Sequence, residues 1–315
     1  MQVFYLTLEQ MALLFTFIVI GYILSKFKIV PENAGAVLSK LENTVFTPAS
    51  ILGTFMVGFT VSKLTSAWQF LAGGITLIAI SVPIAFLVSK LTSKDSYVRK
   101  IYTYGLIFAN FGFMGNAVVQ NVYGNEIYMN YLIFVIPLWV GIYAWAVPTL
   151  LIPKGEGGGL KNRLKNIFNP MLVATIVGMI IGVSGIKIPG FITSAISSLG
   201  SCMSPVAMLL TGMAIAKINM KESFTDLGIY TVSAVRLIAI PLLFIGIAYF
   251  LPIPYDIKLC AVCAGSMPLG LSTIVIPQAY GLDTKKASGM ALISHILSCI
   301  TIPIIFMIFD VLFGL

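Results

Sequence analysis

The stretch ANFGFMGNAVVQNVYG, Ala109–Gly124, holds three asparagines, a glutamine and three glycines in a chain whose mean hydropathy is +1.00. A second stretch, SMPLGLSTIVIPQAYG, Ser266–Gly281, likewise interrupts an apolar run with proline, glycine and hydroxyl residues and again ends in Tyr-Gly. The two lie 157 positions apart, and the same spacing carries Pro48 of FTPAS onto Pro205 of MSPVA and Glu126 onto Asp283. Three landmarks sharing one spacing indicate a structural repeat.

The surroundings of these stretches set the class of protein. Of the 315 residues 58% are hydrophobic and 10% are charged, against about 25% charged in soluble domains. Apolar runs near 7–25, 36–60, 67–90, 101–123, 126–152, 169–186, 190–216, 225–251, 257–280 and 284–312 approach or exceed the roughly 20 residues that span a bilayer. The expectation is an all-α integral membrane protein of ten transmembrane helices. The first run has no basic residue before it and no cleavage pattern after it, so it is read as a retained helix.

The net charge of +8 does not mark a nucleic-acid partner, because the basic residues are dispersed among the loops. Loops after runs 1, 3, 5, 7 and 9 hold fourteen Lys and Arg, whereas the alternate loops hold only Lys63, Lys187 and Lys258. The positive-inside rule places the richer loops in the cytoplasm and both termini outside, in the cell membrane. Cys202, Cys260, Cys263 and Cys299 all fall in apolar runs, where thiols pack as small apolar groups. No metal or other cofactor is expected.

The segment PKGEGGGLKNRLKN, Pro153–Asn166, divides the chain into residues 1–153, a cytoplasmic linker 154–168 and residues 169–315. Its basic amphipathic tail suits anionic headgroups, with a regulatory role as the alternative. Five spans per half is an odd number, so the second half enters the membrane from the opposite side and the halves form an inverted repeat.

A helix is broken within hydrocarbon only where protein or a polar cavity satisfies the freed backbone groups. The fourth and ninth spans are therefore expected to unwind near 110–116 and 268–273, at matching depth. Each break exposes a half-helix N-terminus, which attracts anions. Asn110, Gly112, Gly115, Asn116, Pro268, Gly270, Ser272 and Thr273 become candidate substrate-binding residues, and Pro48 and Pro205 candidate hinges. The competing reading is that the small residues merely allow close helix packing.

Intramembrane charge bears on the substrate's sign. No carboxylate is predicted near mid-membrane; Glu42 comes closest, with Lys40 beside it able to snorkel to the surface. Arg236 falls well inside the eighth span and needs a partner, either an anionic substrate or gating contact, or helix carbonyls. His295 in the tenth span either relays a proton or makes a polar contact between helices.

NFGFMGNAV, FTPAS, NPMLVA, SMPLGLS and QAYG together resemble the auxin efflux carrier family, which includes bacterial malate-type permeases and the plant PIN carriers. The resemblance runs over essentially the whole chain. It implies a fold similar to sodium/proton antiporters, with crossover helices 4 and 9, elevator-type alternating access, commonly a homodimer, and carboxylate substrates such as malate or auxin. The chain departs from the family pattern at Ala117 and at Thr273, where members place a proline. The resemblance leaves the coupling ion open between a proton, sodium and exchange. The alternatives are a cation antiporter of similar fold, an anion channel and an intramembrane enzyme; the last lacks any G-x-S-x-G or paired-histidine motif.

Overall fold

The computed structural model describes residues 2–153, 168–216 and 226–314. The expected linker, apart from Phe168, therefore lies outside the described residues. These residues form helices, with no strand beyond one isolated antiparallel bridge between Ala109 and Leu269. In chain order they are α1 (Gln2–Lys26), α2 (Ala34–Leu41), α3 (Thr47–Gly58), α4 (Val61–Thr92), α5 (Ser96–Ile107), α6 (Asn116–Gly141), α7 (Pro170–Ser184), α8 (Gly190–Ser201), α9 (Met203–Ile215), α10 (Leu227–Ala234), α11 (Ile240–Phe250), α12 (Tyr255–Ser266), α13 (Ser272–Ala279) and α14 (Lys285–Phe313).

Among the described residues, six helical stretches are long and apolar enough to cross a membrane: Val3–Lys26, Val61–Thr92, Phe111–Leu151, Gly190–Ile215, Leu227–Phe250 and Lys285–Phe313. This is the pattern of a multi-pass membrane protein. The count is lower than ten partly because several expected runs are built from short pieces, such as α5 and α12 with 12 residues each.

Proline accounts for several of the joints. It lacks an N–H and its ring crowds the carbonyl four residues earlier, so the distortion falls one turn before it. A π turn over Glu42–Phe46 precedes Pro48, another over Val235–Ala239 precedes Pro241, and the one over Ile142–Leu151 contains Pro148. Pro205 acts likewise, since the chain leaves helical pairing at Cys202 between α8 and α9. The hinges expected at Pro48 and Pro205 are thus a widened turn in one case and a joint in the other, each just before the proline.

The repeated Tyr-Gly has a backbone cause. Gly124 and Gly281 both take positive φ, 79° and 68°. In each case a short helix ends and the chain turns through a conformation that a side chain would strain.

Loop residues gather at two ends of the bundle. At one end Tyr97 donates to the Asp283 carbonyl at 2.8 Å, and Lys286 pairs with Asp226. Asp226 also caps α10 through the Gly228 N–H at 2.9 Å. Partial burial works to raise the Asp226 pKa, but the Lys286 hydrogen bond and charge, with the backbone N–H groups, hold it below the usual carboxylate value. At the other end Lys63 pairs with Glu126 at 3.0 Å, and Asn130 donates to Asp256 at 2.8 Å.

Helix α1 packs against α9 through glycines at the closest points. A Cβ on Gly21 would overlap the Leu209 carbonyl, and one on Gly212 would overlap the Ile18 carbonyl. Lipid tails are as apolar as side chains, so close backbone approach of this kind is a main source of helix association in membranes. Gly212→Val should destabilise the protein by about 1–3 kcal/mol through overpacking, read as a lowered melting temperature in detergent. Gly246→Ala, in α11 with nothing within 4 Å of the added carbon, should leave stability unchanged or raise it by about 0.4–1 kcal/mol.

Candidate functional site

Helix α5 ends at Ile107, and Phe108 turns extended at φ −112°, ψ 91°. The chain runs through Ala109 and Asn110, then resumes as a π turn over Phe111–Gly115 that leads into α6. Helix α12 ends at Ser266, Met267 turns extended at φ −69°, ψ 146°, and helix resumes at Ser272. The two extended segments cross antiparallel. The Asn110 N–H donates to the Pro268 carbonyl at 2.7 Å. Gly270 lies against the Ala109 carbonyl, where an added Cβ would sit 3.3 Å from the oxygen.

The freed backbone groups find partners around this crossing. Arg236, 1% exposed, donates from Nε to the Met267 carbonyl at 3.1 Å, from Nη1 to Leu106 at 3.0 Å and from Nη2 to Ala264 at 2.7 Å. One guanidinium therefore closes the C-terminal ends of both α5 and α12. Each helix C-terminus carries roughly half a negative charge, so the two ends together offset the arginine's single positive charge. Of the two roles considered for Arg236, this geometry is the carbonyl pair. Elsewhere the Leu269 N–H donates to Ser294 Oγ at 3.1 Å, Tyr131 donates to the Phe111 carbonyl at 3.0 Å, and Thr273 Oγ1 donates to the Gly270 carbonyl at 2.7 Å.

His295 joins the crossing as a contact between helices. Its Nδ1 lies 2.7 Å from the Ala291 carbonyl, which only accepts, so that nitrogen carries the proton. Nε2 is then free to accept from the Asn110 amide at 3.2 Å. This arrangement suits a neutral imidazole.

Several expectations need correction. Unwinding was expected near 110–116, but the non-helical residues are Phe108–Asn110, which overlap that stretch only at its first residue. The glycines sit in the π turn because a side chain would overlap Trp139 at Gly112 and the Tyr131 hydroxyl at Gly115. Close packing thus explains both. Nor do Asn110 and Asn116 line an open cavity opposite Ser272 and Thr273, since they are 3% and 2% exposed. Asn110 is committed to His295, while Asn116 Oδ1 is buried and has no hydrogen-bond partner among the described residues. Glu42 departs furthest from expectation. Lys40 is exposed, while Glu42 is fully buried and accepts from Thr47 Oγ1 at 2.8 Å.

A cleft of about 510 Å³ opens between α3, α6 and α8, lined among others by Ser50, Thr54, Lys63, Gln120, Glu126 and Ser197. None of the eight residues proposed for substrate lines it. Asn116 comes nearest in sequence, one helical turn below Gln120 on α6. Lys63 is not an idle surface lysine: it lies on this cleft, donating to Glu126 and at 3.5 Å to Asn130. The polar cleft residues are scattered over α3, α4, α6 and α8 among apolar neighbours such as Met56, Val57 and Met129. No local pattern in the sequence distinguished them.

Broken helices crossing antiparallel, with a polar cleft between α3, α6 and α8, belong to the class of membrane transporters. The chain is a member of the auxin efflux carrier family, whose model, described as membrane transport protein, matches residues 6–306. It is 24% identical over 291 residues to an "uncharacterized transporter" of Methanothermobacter thermautotrophicus, covering 91% of this chain and 93% of that protein. It is also 24% identical over 201 residues to the "uncharacterized transporter YfdV" of Escherichia coli K12, covering 61% of this chain and 62% of that protein.

Replacing Arg236 by Met would leave the Leu106, Ala264 and Met267 carbonyls without their donor in a buried setting. The expected loss is about 1–3 kcal/mol for each carbonyl left unsatisfied, offset in part by removal of the buried charge. A thermal unfolding curve that matches wild type would show that the three carbonyls find other partners.

Proposed function

We propose that the protein is a secondary active transporter of small organic anions, of the malate or auxin-like carboxylate type, working by elevator-type alternating access. The carrying observation is the crossing itself: two half-helix N-termini, at Phe111 and Ser272, follow immediately after the antiparallel contact of Ala109 with Leu269. The N–H groups of a first helical turn carry partial positive charge; at α13 those of Thr273, Ile274 and Val275 are taken by the Gly270 and Leu271 carbonyls, so there the attraction is that of the helix end as a whole. The unpartnered Asn116 Oδ1 marks a polar group buried without a protein partner next to one of them. Arg236 is consumed by carbonyls and leaves no free charge of either sign at the crossing, and no carboxylate stands there to favour a cation. On this reading the cleft beside Gln120 is the entry route, and movement of the crossing relative to α3 and α8 joins the two.

Ten spans in two inverted halves, 1–153 and 169–315, are part of the same reading. Its support is the antiparallel crossing and the parity of the loop contacts. Tyr97, Asp226, Asp283 and Lys286 come from odd-numbered connections and meet at one end. Lys63, Glu126 and Asp256 come from even-numbered ones and meet, through Asn130, at the other. The positive-inside rule then puts both termini outside and the cleft mouth, at Lys63 and Glu126, on the outer face. A homodimer and a proton or sodium driving ion complete the proposal.

Two measurements test it. In proteoliposomes, radiolabelled malate and related mono- and dicarboxylates should show saturable uptake and counterflow; unitary currents without counterflow would mean an anion channel, and cation exchange alone an antiporter. Asn116→Leu should raise the apparent substrate constant by roughly threefold to tenfold, the loss of a hydrogen bond worth about 0.5–1.5 kcal/mol. Its melting temperature should not fall, because Oδ1 has no hydrogen-bond partner among the described residues. Lower stability with unchanged affinity would return Asn116 to a packing role. For orientation, alkaline phosphatase fused after Leu315 should be active; an inactive fusion beside a fluorescent cytoplasmic reporter would overturn the ten-span topology.

A further inference from the structure

Glu42 is a buried carboxyl that the crossing does not use. It sits in the π turn between α2 and α3 with 0% exposure. Its Oε1 accepts one hydrogen bond, from Thr47, and its Oε2 is buried without any partner among the described residues. The elements packed on this turn offer no cation. Helices α3, α7, α8 and α9 contain no Asp, Glu, Lys, Arg or His; Cys202 lies at the joint of α8 and α9, and Lys40 of α2 points to solvent. From α6 the phenol of Tyr128 lies near the carboxyl. Glu42 is also not at a helix N-terminus, where a dipole would favour the anion.

An ionised carboxylate held so, with one hydrogen bond and no counter-charge, costs several kcal/mol. The state with the cleft open therefore holds the neutral acid. The position of Glu42 explains what would change this. Ser50 lines the cleft, and Glu42 lies two helical turns deeper, on the order of 12 Å, away from the cleft mouth at Gly58 and Lys63. Ser50 Oγ lies 3.4 Å from Tyr128 Oη, so hydroxyls lead from the cleft floor toward the carboxyl.

We propose that Glu42 is a proton-binding site whose occupancy depends on which end of the bundle is open. It is protonated while the cleft is open as described. When the opposite end opens and water reaches the turn, the O–H bond on the carboxyl breaks, the proton passes to water, and the electron pair stays on the carboxylate. Return to the cleft-open state takes one proton back. This rests on the reading of the chain as an alternating-access transporter, but it does not depend on which anion is carried.

The test reads cleft opening directly and without substrate. Thr54→Cys places a thiol on the cleft wall, in a chain whose partly exposed Cys202 and Cys299 are replaced by Ala; Cys260 and Cys263 are fully buried and report an intact fold by staying unlabelled. Labelling by a membrane-impermeant maleimide, divided by the rate for the same chain carrying Glu42→Gln, should fall as pH rises, by up to about tenfold per pH unit for one linked proton. Gln keeps an acceptor for Thr47 and cannot ionise, so the variant should lack that component. Identical pH profiles with and without Glu42 would overturn the proposal. Infrared spectra of the wild type at neutral pH need no variant: the carbonyl stretch of a protonated carboxylic acid shielded from exchange is expected, and its absence overturns the assignment. Failure to move any carboxylate would defeat the substrate proposed above and leave both of these readings in force.

Discussion

A helix interrupted inside a membrane leaves carbonyls that water cannot reach, and in this protein Arg236 takes three of them at once. Its guanidinium spans the ends of α5 and α12, so the two breaks are held by one side chain from a third helix. The charge is matched by the two helix ends it closes rather than by a carboxylate. Planar geometry matters, because the guanidinium presents donors from three separate nitrogens and so spans two helix ends, whereas an ammonium's three donors all leave one nitrogen. The antiparallel contact of Ala109 with Leu269, the Ser294 hydroxyl on the Leu269 N–H and the Tyr131 hydroxyl on Phe111 satisfy further groups freed at the breaks.

Around that fixed point the bundle combines tight and loose contacts. The α1–α9 pair meets backbone to backbone at Gly21 and Gly212, and Gly112 and Gly115 admit Trp139 and Tyr131 to the turn that follows the first break. By contrast, α3, α6 and α8 stand apart enough to leave the cleft of about 510 Å³. Polar side chains that line it, such as Ser50 and Gln120, lie on the same helices that bear Glu42's turn and the unpartnered Asn116. The cleft, the crossing and the buried acid are distinct places joined by α3 and α6.

Two residues are set by partners that neighbouring charges do not reveal. Lys63 stands in the sequence as one of only three basic residues in the alternate loops, and its partners Glu126 and Asn130 are 63 and 67 positions away in the chain. Glu42 stands beside Lys40, which is exposed, while a widened turn before Pro48 and the packing of α7, α8 and α9 close over Glu42. In both cases the deciding atoms belong to other helices.

The sequence by itself determined the membrane class, the family and the places where helices are disturbed. Those follow from local chemistry: apolar runs of bilayer length, prolines without an N–H, glycines at positive φ, and a spacing of 157 that carries Gly124 onto Gly281. Only the tertiary structure decided what each disturbed place faces. It set Arg236 on three carbonyls, Asn110 on His295, and Gly112 and Gly115 on aromatic rings; it left Asn116 Oδ1 and Glu42 Oε2 unpaired. The physical reason is range. Propensity and hydropathy act over a few residues of one helix, whereas a buried polar group is satisfied or left wanting by whichever distant helix packs within about 3 Å of it.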